Sequence, residues 1–158
     1  MPIYMTFGDI KGDVTAEGFA DHIEVNSAQF GIGRGIASPT GGSADREATA
    51  PSVSEIVVTK PLDKASGRLF EEALYGEGQK AVIKFTKTDK DKLEVYLEYE
   101  LENTLISGYS VSSGGDRPTE SVSLNFTKIL MSSTDMKAAN ETGEPFKTGY
   151  DIGLAKKV

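Results

Sequence analysis

Residues 114–129, GGDRPTESVSLNFTKI, decide how the rest of the chain is read. Val122, Leu124 and Phe126 alternate with Ser121, Ser123, Asn125 and Thr127, and a period of two sends the apolar set to one face of a strand and the hydroxyl and amide set to the other. The strand is therefore half buried. Its second face lacks the Lys and Glu common on a solvated sheet. It either lies in water with Ser, Thr and Asn alone, or meets something else: another subunit, a lumen or a ligand. From this strand the two readings stand equal.

Working outward, the same period recurs. LISGYSVS (residues 105–112) reads as a strand, and LEVYLEYELE (residues 93–102) places Leu93, Val95, Leu97, Tyr99 and Leu101 on one face and Glu94, Tyr96, Glu98, Glu100 and Glu102 on the other. KAVIKFTK sets Ala81, Ile83 and Phe85 against Lys80, Val82 and Lys84, and TDKD supplies the turn between these two strands. VSEIVVTK is short and β-branched. MPIYMTF sets Ile3, Met5 and Phe7 against Tyr4 and Thr6, and DHIEVNSAQF places Ile23 and Val25 between His22, Glu24 and Asn26. In PFKTGYDIGL, Phe146, Thr148, Tyr150, Ile152 and Leu154 share a face. Seven or eight strands in one domain spanning residues 1–158 predict a barrel or sandwich.

PLDKASGRLFEEALYGEG is the helical interruption. Asp63 is its expected N-cap and Gly76 its C-terminal stop; Leu69 pairs with Ala73, and Phe70 with Leu74, at i, i+4. Gly67 costs about 1 kcal/mol relative to Ala, so the helix is expected to survive by packing Leu69, Phe70 and Leu74 on the sheet. Residues 31–52, GIGRGIASPTGGSADREATAPS, contain five Gly and two Pro, with Ile32 and Ile36 as the only large apolar side chains. They read as a long extended loop without secondary structure. Such a loop is disordered in a monomer, or ordered by a neighbour's surface in an oligomer.

Composition excludes several functions. With 24 acidic and 17 basic residues the net charge is -7, which argues against a nucleic-acid backbone or an anionic membrane as partner. The chain has no Cys and one His, so disulfides, thiolate zinc sites and multi-histidine metal sites are excluded. No segment has the run of about eighteen apolar residues needed to span a membrane. MPIYMTFGDI lacks a basic region followed by an apolar run, so no conventional signal peptide is expected.

No catalytic constellation emerges. The Glu94, Glu98, Glu100 and Glu102 stripe reads as cross-strand pairing with Lys80 and Lys84 rather than as a glycosidase carboxylate pair. His22 lacks companion ligands. GIGRG has the wrong spacing for a phosphate loop, and DKDKLE has Leu93 and Glu94 where a calcium loop wants an oxygen ligand and Gly. No catalytic residue, metal or cofactor is assigned.

From Tyr96 to Ile129 the chain resembles the haemolysin co-regulated protein family, Hcp, most specifically in GDRPTESVSLNF (residues 115–126). GDIKG (8–12), VTKPLDKAS (58–66) and GYDI (149–152) extend the resemblance over nearly the whole chain. It is weaker over residues 16–19 and 132–142. The resemblance implies a mainly β fold: a closed or nearly closed β-barrel of two packed sheets with one short α-helix. It further implies a structural, non-enzymatic subunit of the type VI secretion inner tube. Such subunits form hexameric rings that stack, meet spike and sheath components, leave the cytoplasm without a signal peptide, and can carry small effectors in the lumen. On that basis Arg34, Ile36, Arg46 and Glu47 in the loop are candidate subunit contacts. Ser112, Ser113, Asp116 and Arg117 are candidate lumen or stacking residues, and no fused toxin domain is expected. A monomeric β-barrel binding module and a phage-type tail-tube protein are the competing readings.

Overall fold

The alternation in residues 121–127 is realised as a strand with Val122 and Leu124 completely buried and Phe126, just past its end, 5% exposed. In the computed structural model, which describes residues 1–37, 48–136 and 142–158, twelve strands and one helix surround this interior. Strand β1 (Ile3–Phe7) precedes β2 (Ile23–Val25), β3 (Ser27–Gln29), the two-residue strands β4 (Ile32–Gly33) and β5 (Ser52–Val53), and β6 (Ile56–Pro61). After helix α1 (Ser66–Tyr75) come β7 (Gln79–Asp89), β8 (Lys92–Ser112), β9 (Thr119–Asn125), β10 (Lys128–Met136), β11 (Thr142–Asp151) and β12 (Lys156–Lys157).

The two segments read as separate strands, residues 93–102 and 105–112, are one 21-residue strand, β8. Asn103 takes φ 51° inside it, a left-handed residue that asparagine tolerates. The register against β7 shifts beside it, between Gln79 and Ala81, and such irregularities bend a strand. Its two halves consequently serve different sheets. The first half pairs with β7 on one edge and β10 on the other, so that Tyr99 lies opposite both Ile83 and Met131. The second half pairs with β9, β9 with β6, and β6 with β3.

A second junction between the two sheets is made by chain continuity and one hydrogen bond. β7 pairs with β1 and β1 with β2. β2 runs into β3 through Asn26, whose N–H bonds the carbonyl of Thr59 on β6. The seam between the two sheets is thus crossed by continuous chain, while β10, β11 and β12 extend from β8 as a flap. Met5, Phe7, Ile23, Val58, Ile83, Leu101, Val122 and Leu124 fill the interior. The turn from β7 to β8 is made by Lys90 and Asp91, both at positive φ, the geometry of a two-residue hairpin.

Three local expectations are corrected. Leu69 is fully buried, but Phe70 and Leu74 are 54% and 58% exposed, so the helix packs through Ser66, Leu69 and Ala73 instead. Asp63 stands ahead of the N-cap, which is Ala65; its Oδ1 accepts the Ala65 N–H at 3.0 Å. Ile152 and Leu154 lie past the end of β11, in the turn before β12, where Asp151 accepts the Leu154 N–H at 2.9 Å.

The reason for the helix's rotation is a buried polar node. On β6 and β9, Lys60 and Glu120 occupy the same inward parity as Val58 and Val122, and they lie directly opposite one another. Both are 0% exposed. Lys60 Nζ donates to Glu120 Oε1 at 2.7 Å, to Asp63 Oδ1 at 3.0 Å and to the Pro61 carbonyl at 2.9 Å. Ser66 donates its hydroxyl to Glu120 and accepts the Asp63 N–H at 3.0 Å. With Ser66 drawn inward, Leu69 and Ala73 follow at i+3 and i+7, and Phe70 and Leu74 are turned to the outside.

Removing one partner of such a node leaves an uncompensated buried charge. Lys60 is the one cation facing both Glu120 and Asp63, so Lys60→Met should lower unfolding stability by about 3–5 kcal/mol in urea titration, whereas Glu120→Gln, which leaves Lys60 paired with Asp63, should cost much less. Equal losses in the two variants would show that charge pairing is not what the node contributes.

Candidate functional site

The outer face of the second sheet is the most unusual surface. Register and alternation place Ser27 and Gln29 of β3 beside Val57, Thr59 and Pro61 of β6. Next come Thr119, Ser121, Ser123 and Asn125 of β9, then Leu105, opposite Asn125 and 41% exposed, with Gly108, Ser110 and Ser112 of β8. Charged residues make up 26% of the chain, yet none occupies any of these positions. Lys60 and Glu120, the charged residues of these ladders, both point inward. The face is held by its own hydroxyls: Ser27 bonds Thr59 across the ladder, and Ser107, at the register shift of β8, donates to the Ser123 carbonyl at 3.3 Å and to Glu55.

At one end of this sheet lies the turn carrying the candidate residues Ser112, Ser113, Asp116 and Arg117. All four are exposed, and three are engaged within the chain. Ser113 Oγ donates to the Asp116 carbonyl at 3.0 Å. The Arg117 guanidinium donates through Nε at 2.6 Å, and through Nη2, to the carbonyl of Leu62, at the entrance to α1. The Leu62 N–H in turn bonds the Pro118 carbonyl at 3.0 Å. The turn is thus tied to the segment carrying the buried node. Ser112 remains on the hydroxyl face, opposite Thr119.

At the other end, residues 31–37 and 48–53 form a two-stranded ribbon instead of a structureless loop. Ile32 pairs with Val53 and Gly33 with Ser52, Ile36 bridges Ala48, and the Gly35 N–H donates to Thr49 Oγ1 at 2.9 Å. The ribbon holds the candidates Arg34 and Ile36 outside the core, Ile36 being 48% exposed. Arg46 and Glu47 lie outside the described residues.

The glutamate stripe is largely structural. Glu100 accepts from Lys80 at 2.8 Å and Glu102 lies 3.7 Å from Lys128. Lys84, opposite Glu98 in register, reaches instead to His22 Nε2 at 3.1 Å, and His22 stacks edge-on against Phe19 with centroids 5.5 Å apart. Among the described residues no group of His, Asp and Glu could hold a metal ion, and no helix is long and apolar enough to cross a membrane.

The buried node escaped the sequence reading, although its signal was available. Lys60 follows Ile56 and Val58 on the inward parity and Glu120 precedes Val122 and Leu124 on theirs, so two opposite charges stand where an alternating strand expects apolar side chains.

Comparison with known proteins gives one family. The family model described as "Type VI secretion system effector, Hcp" matches residues 4–132. The protein hcp1 of Pseudomonas aeruginosa is 28% identical over 154 residues, covering 95% of this chain and 94% of that protein. A solved type six secretion system protein superposes with a TM-score of 0.91 at 22% identity, over 99% of both chains. Hcp1 from Salmonella typhimurium gives 0.81 at 21% identity, over 99% of this chain and 98% of its own. At those identities the structural likeness speaks for the fold alone.

Two measurements test these contacts. Arg117→Lys keeps the charge but loses the planar fork, and should speed hydrogen exchange of the Leu62 amide while lowering stability by about 1 kcal/mol; unchanged exchange would remove Arg117 from that role. The hydrogen bond from Lys80 to Glu100, reinforced by the charge of Glu100, raises the Lys80 pKa above 10.5. Such a group stabilises the fold below the ordinary lysine pKa, and the contribution disappears as pH rises through the raised value. The stability difference between wild type and Glu100→Gln should therefore be constant at neutral pH and shrink in alkali; a difference that survives deprotonation of Lys80 would have another origin.

Proposed function

The chain belongs to the Hcp family of type VI secretion proteins, and from that premise we propose that it is a structural subunit of the secretion tube. Six copies form a ring, rings stack into a conduit, and the conduit is driven outward with small effector proteins in its lumen. Spike and sheath components of the same machine are its other partners. The work is mechanical rather than catalytic.

The observation that carries this reading is the uncharged outer face of the second sheet. Subunit interfaces are anchored by buried aromatic and arginine side chains, and this face has neither. Apart from Val57, Pro61 and Leu105, it offers hydroxyls, amides and glycine, which exchange hydrogen bonds with water or with any polar cargo and select for no particular charge. Those properties suit the wall of a channel through which different proteins pass. Charge would trap or repel cargo, and an apolar wall would bind it. On this reading Ser112 lines the lumen with the rest of the face, while Ser113, Asp116 and Arg117 shape its rim. Arg34 and Ile36, carried outward on the ribbon, meet a neighbouring subunit, and so do Arg46 and Glu47 beyond it.

Light scattering after size-exclusion chromatography should give six times the 16.9 kDa of one chain, with annular particles in negative stain; a monomer at every concentration would overturn the ring. The position of the hydroxyl face is checked by Ser110→Lys with Ser121→Lys. If the face lines the lumen, the ring persists and its cargo changes. Dissociation into folded monomers would place the face in a subunit contact instead.

A further inference from the structure

Resting on the ring reading, neighbouring copies must meet through surfaces that this chain leaves unpartnered. Two unpartnered apolar surfaces lie at opposite ends of the second sheet. Helix α1 is attached at the end where Pro61 pairs with Thr119. Its outer face shows Phe70 and Leu74, 54% and 58% exposed, one turn apart on the same side. Phe70 is braced edge-on by Tyr109 with ring centroids 6.0 Å apart. Gly67 lies one turn earlier on this face, and no heavy atom of the chain comes within 4 Å of where its Cβ would be. Glycine weakens a helix interior and nothing in the chain crowds this position, so the space suits the close approach of another surface.

Beyond the opposite end, where Ile56 pairs with Leu124, an apolar cleft of about 370 Å³ opens between the ribbon and the flap. Phe30, Ile32, Tyr99, Ile129, Met131 and Tyr150 line it, with Ile32 63% exposed. The charges around the two surfaces differ in net sign, although Arg68 stands beside Gly67 on the first turn of the helix. The second half of the helix and the turn after it carry Glu71, Glu72 and Glu77 and no Lys or Arg. The cleft is flanked by Arg34 on the ribbon and by Lys157 on β12, which pairs with the lining residue Tyr150, whereas Lys156 pairs with Asp151 on the alternate face.

We propose that the occupant of the cleft is a second copy of this chain: the outer face of α1 from one subunit seats in the cleft of the next. Phe70 and Leu74 are the apolar anchors, and Glu71 and Glu77 face Arg34 and Lys157. Because the two surfaces differ and lie at opposite ends, the contact is head to tail, which closes into a ring when the rotation per subunit divides a full turn. Each subunit then buries both surfaces, and neither is left exposed in the assembly.

The test compares wild type, Leu74→Asp and the pair Leu74→Cys with Thr148→Cys, in a chain that has no other cysteine. Leu74 is outside the core, so Leu74→Asp should keep the wild-type circular dichroism and elute as a monomer where wild type is a ring. The cysteine pair should give, under oxidant, a ladder of covalent oligomers ending at six chains on a non-reducing gel. A folded Leu74→Asp ring, or a cysteine-paired ring that forms no cross-links, overturns this contact and leaves the ring reading intact. A monomeric wild type removes the ring reading, and this contact with it. If Leu74→Asp does not fold, the cysteine pair decides by itself.

Discussion

Lys60 and Glu120 face each other from adjacent strands with no exposure to solvent, and much of the architecture hangs on that pair. Each charge removed from water costs several kcal/mol unless it is answered at close range. Here the answer comes from both strands and from the first turn of the helix at once, through Asp63 and Ser66. The pair therefore sets the register of β6 against β9, fixes where α1 begins, and rotates the helix about its axis. The last consequence reaches the surface. By pulling Ser66 and Leu69 inward, the node turns Phe70 and Leu74 outward, so an interior ion pair determines which apolar side chains the molecule offers to others.

A second constraint is the strict alternation of the strands. Because neighbouring residues point to opposite faces, filling the interior with Val58, Val122 and Leu124 leaves Thr59, Ser121 and Ser123 outside. In β6 and β9 the charged residues take inward positions, and the outer face is left uncharged. One buried ion pair and one uncharged surface are thus two sides of the same pattern.

Much of this could be read from the chain. The period-two segments gave the strands, the pairing of apolar positions gave the helix, and the resemblance centred on residues 115–126 gave the family. Where the reading went astray, the cause was an interaction between segments distant in sequence. Two strands merged into β8 because Asn103 accepts a left-handed conformation, which no periodicity reveals. The i, i+4 spacing of Phe70 and Leu74 identifies a stripe but not its direction, and the direction is set by Glu120, 54 residues from Ser66. The glycine-rich segment reads as structureless in sequence because bonds across the ribbon, such as the Thr49 N–H to the Gly35 carbonyl at 2.8 Å, depend on backbone positions rather than on side-chain character.

The seam crossed by β2 and β3 has a further consequence, for the order in which the molecule can be assembled during synthesis. β1, made first, has one partner in β2 and the other in β7, which begins only at Gln79. β6 must wait for β9, which begins at Thr119. The strands β7 to β11, by contrast, pair largely with sequence neighbours. Contacts between distant segments carry the larger loop-closure cost and come late. The N-terminal strands therefore leave the ribosome as open edges and stay so until most of the chain exists. Charged residues in and beside these strands, such as Glu24, Glu55 and Lys60, are of the kind that discourages an open edge from pairing with the wrong chain.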